Sequence, residues 1–300
     1  MSDFGCFIRE SGCFRLPGMQ RLLVAAIVVA SLSGCSSIVS NISSGMADNL
    51  SGAILNQDDP ELVREALPSY LLMLDSFIQS DPESVPTLAA AAQLYSAYAS
   101  ALIDDPARAR ILTNRARDYG SRALCSADED ACGLDRLDYD AYIAVIQSID
   151  EDDVFALYSY SVSSLAWIRA HSDEFGALAQ LPKIEAALQQ VMKLEPGEYA
   201  ASTCMYLGIL NTLLPEALGG NPETGRRWFE QGIELSQGKD LSIKVEYARG
   251  YARLTYNREL HDALLQEVLA AQVQQPNLTL FNTLAREQAE ALLASADDYF

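Results

Sequence analysis

The sequence predicts an all-α protein built from stacked pairs of helices. After residue 58, apolar residues recur at spacings of three and four, as in Leu71, Leu74, Phe77 and Ile78, which is the period of one helix face. No stretch in this range alternates apolar and polar residues in a run rich in Val, Ile and Thr, so strands are not expected. We therefore expect about ten to twelve helices joined by short turns.

Several helix starts are marked by an Asp or Asn followed by Pro. This pair begins the segments 59–61, 81–83, 105–107 and 221–223. The side-chain oxygen caps free backbone N–H groups, and Pro suits the first helical position because its missing N–H costs nothing there. We predict that a helix starts at each of the four segments.

A ragged internal repeat is visible in the segments that end helices. Val191–Pro196 closes one helix, Gly232–Ser236 takes the matching place 41 residues later, and Val268–Ala271 follows after a further 36 residues. Ala123–Cys125 precedes the first segment by 68 residues, which is twice 34. Periods near 34 indicate tetratricopeptide-like helix hairpins. Such solenoids leave a concave surface or a central groove between the repeats.

The N-terminus reads as an export signal. The apolar run Leu22–Leu32 follows Arg21 and has eleven residues, too few to span a bilayer core of about 30 Å. The run leads into Leu32-Ser33-Gly34-Cys35, which resembles the lipobox of bacterial lipoproteins. That resemblance implies cleavage before Cys35 and anchoring through several acyl chains. The alternative is an ordinary cleaved signal with Cys35 nearby by chance.

This signal divides the chain into three parts. We assign residues 1–34 to a lipoprotein signal peptide, 35–57 to a lipidated tether and 58–300 to the helical domain. Residues 1–18 mix acidic and basic side chains, unlike an ordinary signal, so Met19 is a second candidate for the start. Ser36 follows Cys35, and in lipoprotein sorting that resemblance favours the outer membrane. The helical domain would then lie on the periplasmic side of the cell envelope.

Charge and motif content exclude several classes of function. Lys and Arg total 21 against 41 Asp and Glu, for a formal net charge of -20, so the surface would repel nucleic acid. The sequence contains no Gly-x-Ser-x-Gly, Cys-x-x-Cys or His-Glu-x-x-His motif, and its only histidines are His171 and His261. We therefore expect no enzyme, no cofactor and no metal site.

Cysteine spacing suggests one disulfide in the helical domain. Six polar or small residues separate Cys125 from Cys132, and an exported protein meets an oxidising compartment. The bridge would close a short loop and stabilise the fold by about 2 kcal/mol. A metal pair with Asp128 and Asp130 is the alternative, but the spacing matches no zinc pattern. Cys204 is expected to pack as a small hydrophobe.

Aromatic residues are the candidates for a ligand-binding cleft. The segment Asp153–His171 is apolar on nearly all sides, so it must be enclosed. Tyr and Trp combine an apolar body with a polar tip, which suits a cleft for amphiphiles. For each of them, packing in the core is the alternative. The candidate cleft residues are Tyr95, Tyr98, Tyr158, Tyr160, Trp167, Tyr206, Tyr247 and Tyr251.

Four segments, in order along the chain, carry a family resemblance. They are Asp58–Pro68 (DDPELVREALP), Arg115–Gly120 (RARDYG), Leu214–Pro222 (LPEALGGNP) and Leu292–Phe300 (LLASADDYF). Together they resemble the TatT family, the T-component lipoproteins of tripartite ATP-independent periplasmic (TRAP) transporters. The resemblance covers nearly the whole chain after Cys35.

The resemblance implies a fold, an assembly and a function. The fold would be a tetratricopeptide-like solenoid with a hydrophobic pore or cleft, and the assembly a homotrimer. The expected function is to bind or conduct small hydrophobic ligands and to dock the periplasmic substrate-binding (P) component of the transporter. The alternative is an outer-membrane tetratricopeptide scaffold for protein–protein assembly that takes no small ligand.

Overall fold

The computed structural model describes residues 51–300. The expected signal peptide, the alternative start at Met19 and the lipidation site Cys35 lie outside the described residues. Residues 51–55, within the expected tether, are helical. The segment Ile54–Phe300 forms one compact unit, separate from a unit Met1–Ala53 that falls almost wholly outside the described part.

Thirteen α-helices follow between Pro60 and Tyr299, and residues 51–300 contain no strand, which confirms the all-α prediction. The count exceeds the expected number because two helices, α6 and α13, are turns of only four residues. Within the same range, no helix has the length and apolar character needed to cross a membrane. The helices are α1 (Pro60–Ser80), α2 (Val85–Ala101), α3 (Pro106–Ala127), α4 (Tyr139–Ser148), α5 (Val154–Ala170), α6 (Phe175–Leu178), α7 (Leu181–Leu194), α8 (Ala200–Thr212), α9 (Pro222–Leu235), α10 (Leu241–Tyr247), α11 (Arg258–Ala270), α12 (Thr279–Ala294) and α13 (Ala296–Tyr299).

Three of the four predicted helix starts are confirmed. The Asp59 carboxylate accepts hydrogen bonds from the first backbone N–H groups of α1 at 3.1 Å. Asp105 caps α3 through a bond of 3.0 Å from the Ala107 N–H. Asn221 caps α9 through a bond of 3.2 Å from the Thr224 N–H. In each case Pro occupies the first position of the helix.

The predicted start at residues 81–83 is wrong. Asp81 ends α1 instead, because its backbone N–H still bonds to the Phe77 carbonyl. The next helix begins at Val85, after Ser84. Pro86 is the second residue of α2, so the fixed φ of this proline serves the helix start that Pro82 was expected to serve.

The four segments of the proposed repeat all lie at helix ends. The helices α3, α7, α9 and α11 end at Ala127, Leu194, Leu235 and Ala270. Helices that follow one another in sequence pack together, as α1 does with α2, α2 with α3, α8 with α9 and α11 with α12. The tetratricopeptide-like solenoid itself stays a prediction.

Helix α5 lies at the centre of the packing, and 12 of its 17 residues are buried. Its four buried serines would be costly there if their hydroxyls were unpaired. Three of these hydroxyls, on Ser159, Ser161 and Ser163, donate to a carbonyl four residues earlier at 2.7 Å, whereas the Ser164 hydroxyl is buried without a hydrogen-bond partner. The helix therefore satisfies three of its four buried hydroxyls itself.

Small residues let α2 and α3 lie directly against α5. At Gly120 of α3, a Cβ atom would fall 2.2 Å from the Ser163 hydroxyl and 3.1 Å from the Tyr160 Cα. From α2, the Gln93 amide donates to the Ser159 hydroxyl at 2.7 Å. A larger residue at position 120 would force α3 away from α5.

The beginning and the end of the helical unit contact each other. The apolar core formed by α1, α2 and α3 also includes Leu280 and Leu284 of α12. The Asn56 amide donates to the Asn277 side-chain oxygen at 3.1 Å, and the Asn277 backbone N–H donates back to the Asn56 side chain at 2.8 Å. The first helices are thus completed by residues from near the C-terminus.

One carboxylate joins the first three helices. Asp75 of α1 accepts hydrogen bonds from the Tyr95 hydroxyl of α2 at 2.9 Å and from the Tyr119 hydroxyl of α3 at 2.7 Å. The Arg115 guanidinium of α3 donates to the same carboxylate at 2.9 Å. Only 14% of the Asp75 side chain is exposed, although the Arg115 side chain is half exposed, so the carboxylate itself is shielded from water.

We expect Asp75→Ala to lower the free energy of unfolding by about 2 to 3 kcal/mol, because three donors lose a charged acceptor at once. Urea denaturation followed by circular dichroism measures the change. The matched control is Asp118→Ala, whose 63% exposed carboxylate pairs with Arg122 at 3.5 Å. That exposed pair should contribute less than about 0.5 kcal/mol. Equal losses in the two variants would contradict the role of Asp75.

Candidate ligand-binding site

One face of α5 keeps a small residual exposure inside the core. Tyr158, Val162 and Ala166 are 8%, 7% and 8% exposed, whereas the other buried residues of this helix are 3% exposed or less. The three residues are spaced by four, so they form one stripe along the helix. The stripe continues to Arg169, whose side chain is 32% exposed. We call these four residues the α5 stripe.

A group of tyrosines lies at one end of the α5 stripe. The rings of Tyr158 and Tyr199 stack with centroids 4.5 Å apart, and Tyr206 lies 6.3 Å from Tyr158. The Tyr158 and Ser202 hydroxyls share a hydrogen bond of 3.0 Å. Because Tyr199, Ser202 and Tyr206 belong to the start and the first two turns of α8, they form a second wall beside α5. We call these four residues the tyrosine cluster.

The hydroxyls of the tyrosine cluster are neutral at physiological pH. Burial raises the pKa of Tyr158 to about 12, against a smaller opposing effect of the Ser202 hydrogen bond. Burial likewise raises the pKa of Tyr206 well above its ordinary value, although Tyr206 itself is not fully buried. The tyrosine cluster therefore offers apolar ring faces and uncharged hydrogen-bonding groups to whatever enters.

A group of charged residues lies at the other end of the α5 stripe. Glu246 of α10 accepts hydrogen bonds from Arg169 of α5 at 3.4 Å and from Arg249. Arg249 also donates to the Gln288 side chain of α12 at 2.8 Å. We call Arg169, Glu246, Arg249 and the neighbouring Arg253 the arginine cluster.

The arginine cluster sits at an unusual backbone segment. A π-helix, Ala248–Ala252, continues α10 and carries Arg249. π-Helical segments are rare and are often found at functional sites. Arg253 follows directly and donates to the Ser295 hydroxyl at 2.7 Å and to the Leu292 carbonyl at 3.4 Å, both neutral acceptors.

The electrostatics of Glu246 depend on its arginine neighbours. Burial alone would raise the pKa of Glu246, but the charges of Arg169 and Arg249 outweigh this effect and lower the pKa below its ordinary value. Burial lowers the pKa of Arg253, and the positive charge of Arg249 lowers it further. The guanidinium groups are therefore close enough to repel one another.

The structure brings together only some of the candidate cleft residues. Tyr158 and Tyr206 meet in the tyrosine cluster. Tyr160 is 3% exposed and lies two residues from Tyr158, on another face of α5. Tyr95 belongs to the network around Asp75, and Tyr98 receives a hydrogen bond of 3.3 Å from Arg108.

The remaining candidates lie in two other places. Trp167 donates to the Asn114 side chain at 2.8 Å, and the Arg117 guanidinium lies 4.0 Å from its ring centroid. The Tyr247 and Tyr251 hydroxyls donate to carboxylates of α9, at 3.3 Å to Glu230 and 2.6 Å to Glu223. These aromatics tie helices together.

Sequence reasoning missed Tyr199 and the arginine cluster. Tyr199 precedes Tyr206 by seven residues, two helical turns, so this spacing could have indicated a shared face. Arg169 and Glu246 are 77 residues apart, and no local pattern could have paired them.

The structure joins Cys125 to Cys132 by a disulfide. Asp128, considered above as part of a metal pair, caps the following turn by accepting from the Asp130 N–H at 2.9 Å. Among residues 51–300, no three His, Cys, Asp or Glu side chains are grouped as a metal ion would need. Cys204 is buried, and its burial raises the pKa of the thiol to about 11.

Acid should weaken the fold through Glu246. A carboxyl whose folded pKa is lowered contributes stability that is complete above its unfolded pKa, about 4.3, and is lost as the pH falls through the folded value. The free energy of unfolding of the parent protein should therefore fall more steeply below about pH 4.5 than that of Glu246→Gln. Urea titrations at several pH values measure both slopes. Glu234→Gln changes an exposed carboxylate and is the control, so its free energy of unfolding should fall with pH as steeply as that of the parent. If the free energies of the parent and of Glu246→Gln fall in parallel, Glu246 does not stabilise the fold in this way.

Comparison with known proteins places the chain in a family. Two short local similarities are to pro-neuregulin-2, membrane-bound isoform. The Mus musculus protein is 36% identical over 67 residues, which are 22% of this chain and 8% of that protein. The Homo sapiens protein is 38% identical over 52 residues, which are 17% of this chain and 6% of that protein. The chain thus spans less than a tenth of the length of these curated relatives. The family model "TAtT: TRAP transporter T-component" matches residues 56–300, the whole helical unit that carries the site. The chain belongs to the TRAP transporter T-component family.

Proposed function

We propose that this T component binds small hydrophobic ligands along the α5 stripe and docks the periplasmic substrate-binding protein of its TRAP transporter. Family membership makes it a transport accessory protein associated with other TRAP subunits. The observation that carries the ligand-binding part is the residual exposure of Tyr158, Val162 and Ala166 within residues 156–166, whose other members are 3% exposed or less. The neighbouring tyrosine cluster supports it.

The proposed ligand site is a recess between the α5 stripe and the tyrosine cluster, and its chemistry suits an apolar ligand. Val162 and Ala166 contribute aliphatic surface, and the rings of the tyrosine cluster contribute aromatic faces. The Tyr158 and Tyr199 rings are already stacked on each other. Binding would therefore cost little free energy for ordering these two side chains. Hydroxyls at Tyr158 and Ser202 would orient a polar end without requiring a charge.

The anchoring and assembly of the protein are part of the same proposal. Lipid attached at Cys35 would hold the helical unit on the periplasmic side of the outer membrane, and the helix pairs would stack as a tetratricopeptide-like solenoid. We also propose a homotrimer. Apolar side chains exposed on α1, Leu72 at 67% and Phe77 at 51%, support a contact with another copy.

We expect Ala166→Phe to fill the recess and exclude the ligand. Because Ala166 borders open space in this proposal, the larger ring should cost less than about 1 kcal/mol in the free energy of unfolding. Native mass spectrometry of the purified protein should show bound apolar ligand in the parent and none in Ala166→Phe.

Ala156→Phe is the matched control on the same helix. Ala156 is 1% exposed and has no room for a ring, so this variant should lose about 3 kcal/mol. If both variants lose the same stability, and the parent carries no ligand, the recess is filled by the side chains of the protein itself. The scaffold function without a small ligand would then replace the proposal.

Docking to the substrate-binding protein should weaken with salt. The chain carries a formal net charge of -20, so a partner would present a basic face, and salt screens that attraction. Biolayer interferometry should show the affinity falling on the order of tenfold between about 0.05 and 0.5 M NaCl. An affinity that does not change with salt would contradict electrostatic docking.

A further inference from the structure

We propose that the arginine cluster binds the carboxylate of an amphiphilic ligand whose apolar body lies along the α5 stripe. This inference rests on the proposed function and specifies its ligand class as a monocarboxylate with an apolar chain. It is carried by a local excess of positive charge, by unused donors on Arg169 and by the position of Arg169 on α5.

The charge of the cluster is not balanced within the described residues. Arg169 and Arg249 share the single carboxylate of Glu246. Arg253 donates hydrogen bonds to a hydroxyl and a carbonyl, its Nε is buried without a hydrogen-bond partner, and its guanidinium lies 4.7 Å from the Tyr299 ring centroid. Two guanidinium groups thus share one carboxylate, and a third lies nearby with neutral partners, in a protein with 41 acidic and only 21 basic residues.

Arg169 keeps donors for a ligand. Its hydrogen bonding within the described residues consists of one contact of 3.4 Å with Glu246, which is longer than an ordinary charge-assisted bond. Its side chain is 32% exposed. A guanidinium carries five N–H donors in a planar fork that matches a carboxylate, so most of its capacity remains for an incoming group.

The position of Arg169 defines how the ligand would lie. Arg169 follows Tyr158 by eleven residues on the same face of α5, a distance of about 16 Å along the helix. Val162 and Ala166 lie between them. A ligand with its carboxylate at Arg169 would therefore extend its chain over two aliphatic residues towards the tyrosine cluster.

Asp240 adds a negative charge near the tyrosine cluster. It caps α10 by accepting from the Ser242 N–H at 3.0 Å, and its charge raises the pKa values of both Tyr158 and Tyr206, whereas the charge of Arg169 lowers the pKa of Tyr206. A ligand carboxylate would be repelled by Asp240 and attracted by the guanidinium of Arg169.

The experiment compares an acid with its uncharged analogue. Isothermal titration calorimetry would measure binding of decanoate and of 1-decanol, which share the apolar chain and differ in the head group. The protein would be the full chain with Cys35→Ser, a change that removes the predicted lipid attachment and avoids detergent. We expect decanoate to bind at least about tenfold more tightly than 1-decanol.

Two variants test the arginine cluster in opposite directions. Arg169→Gln should weaken decanoate binding by about tenfold or more and weaken 1-decanol binding much less, because the alcohol offers no carboxylate to the guanidinium. Glu246→Gln should tighten decanoate binding, because it removes the internal carboxylate that competes for the guanidinium groups. Arg122→Gln is the control: it removes a guanidinium that is 36% exposed on α3 and should change neither affinity. Thermal melts confirm that each variant is folded.

The outcomes separate this inference from the function on which it rests. If the parent binds decanoate and 1-decanol equally, and Arg169→Gln changes neither affinity, the carboxylate site is wrong while the hydrophobic recess stands. If the parent binds neither compound, both the recess and the carboxylate site are wrong. If Glu246→Gln weakens decanoate binding to the same extent as Arg169→Gln, the cluster has only a structural role and the inference is overturned.

Discussion

The fold depends on the enclosure of α5 by the helices around it. A helix can be surrounded on nearly every side only if most of its polar groups need no water, and three of the four buried serines of α5 meet this condition by bonding to their own helix carbonyls. Small residues then allow α2 and α3 to approach closely, with Gly120 against Ser163. Within the buried stretch 156–166, Tyr158, Val162 and Ala166 of the α5 stripe are the residues that keep residual exposure. The candidate site is thus a consequence of how the central helix is packed.

Local sequence signals predicted the helical class, three of four Asp/Asn-Pro helix starts and the enclosure of the segment that became α5. These local signals could not predict which aromatic residues of α5 would lie in the tyrosine cluster. Tyr158 and Tyr160 have the same composition cues, and only the position of α8 distinguishes them. The fourth predicted helix start was wrong because the helix begins three residues later, after Ser84 and with Pro86 in its first turn, even though the Ser84 side chain makes no capping hydrogen bond. Propensity alone does not choose between two such neighbouring sites.

The site combines residues whose pairing is decided by tertiary structure alone. Arg169, Glu246 and Gln288 come from three helices, and each one is an ordinary charged or polar residue in its own segment. Together with Arg249 they form a partly exposed, cation-rich position in an acidic protein. If this position binds a carboxylate as proposed, the acidic surface would repel the ligand at long range, and binding would favour amphiphiles with enough apolar surface to offset that repulsion.

The contact between Asn56 and Asn277 has a consequence for biogenesis. The two residues are 221 positions apart, and Leu280 and Leu284 complete the apolar core of the first three helices. Helices α1, α2 and α3 therefore cannot reach their final packing until almost all of the chain has been synthesised, since the loop that brings these parts together must close first. Such late closure would suit the export that we propose, because a secretion channel takes up its cargo before the cargo has folded.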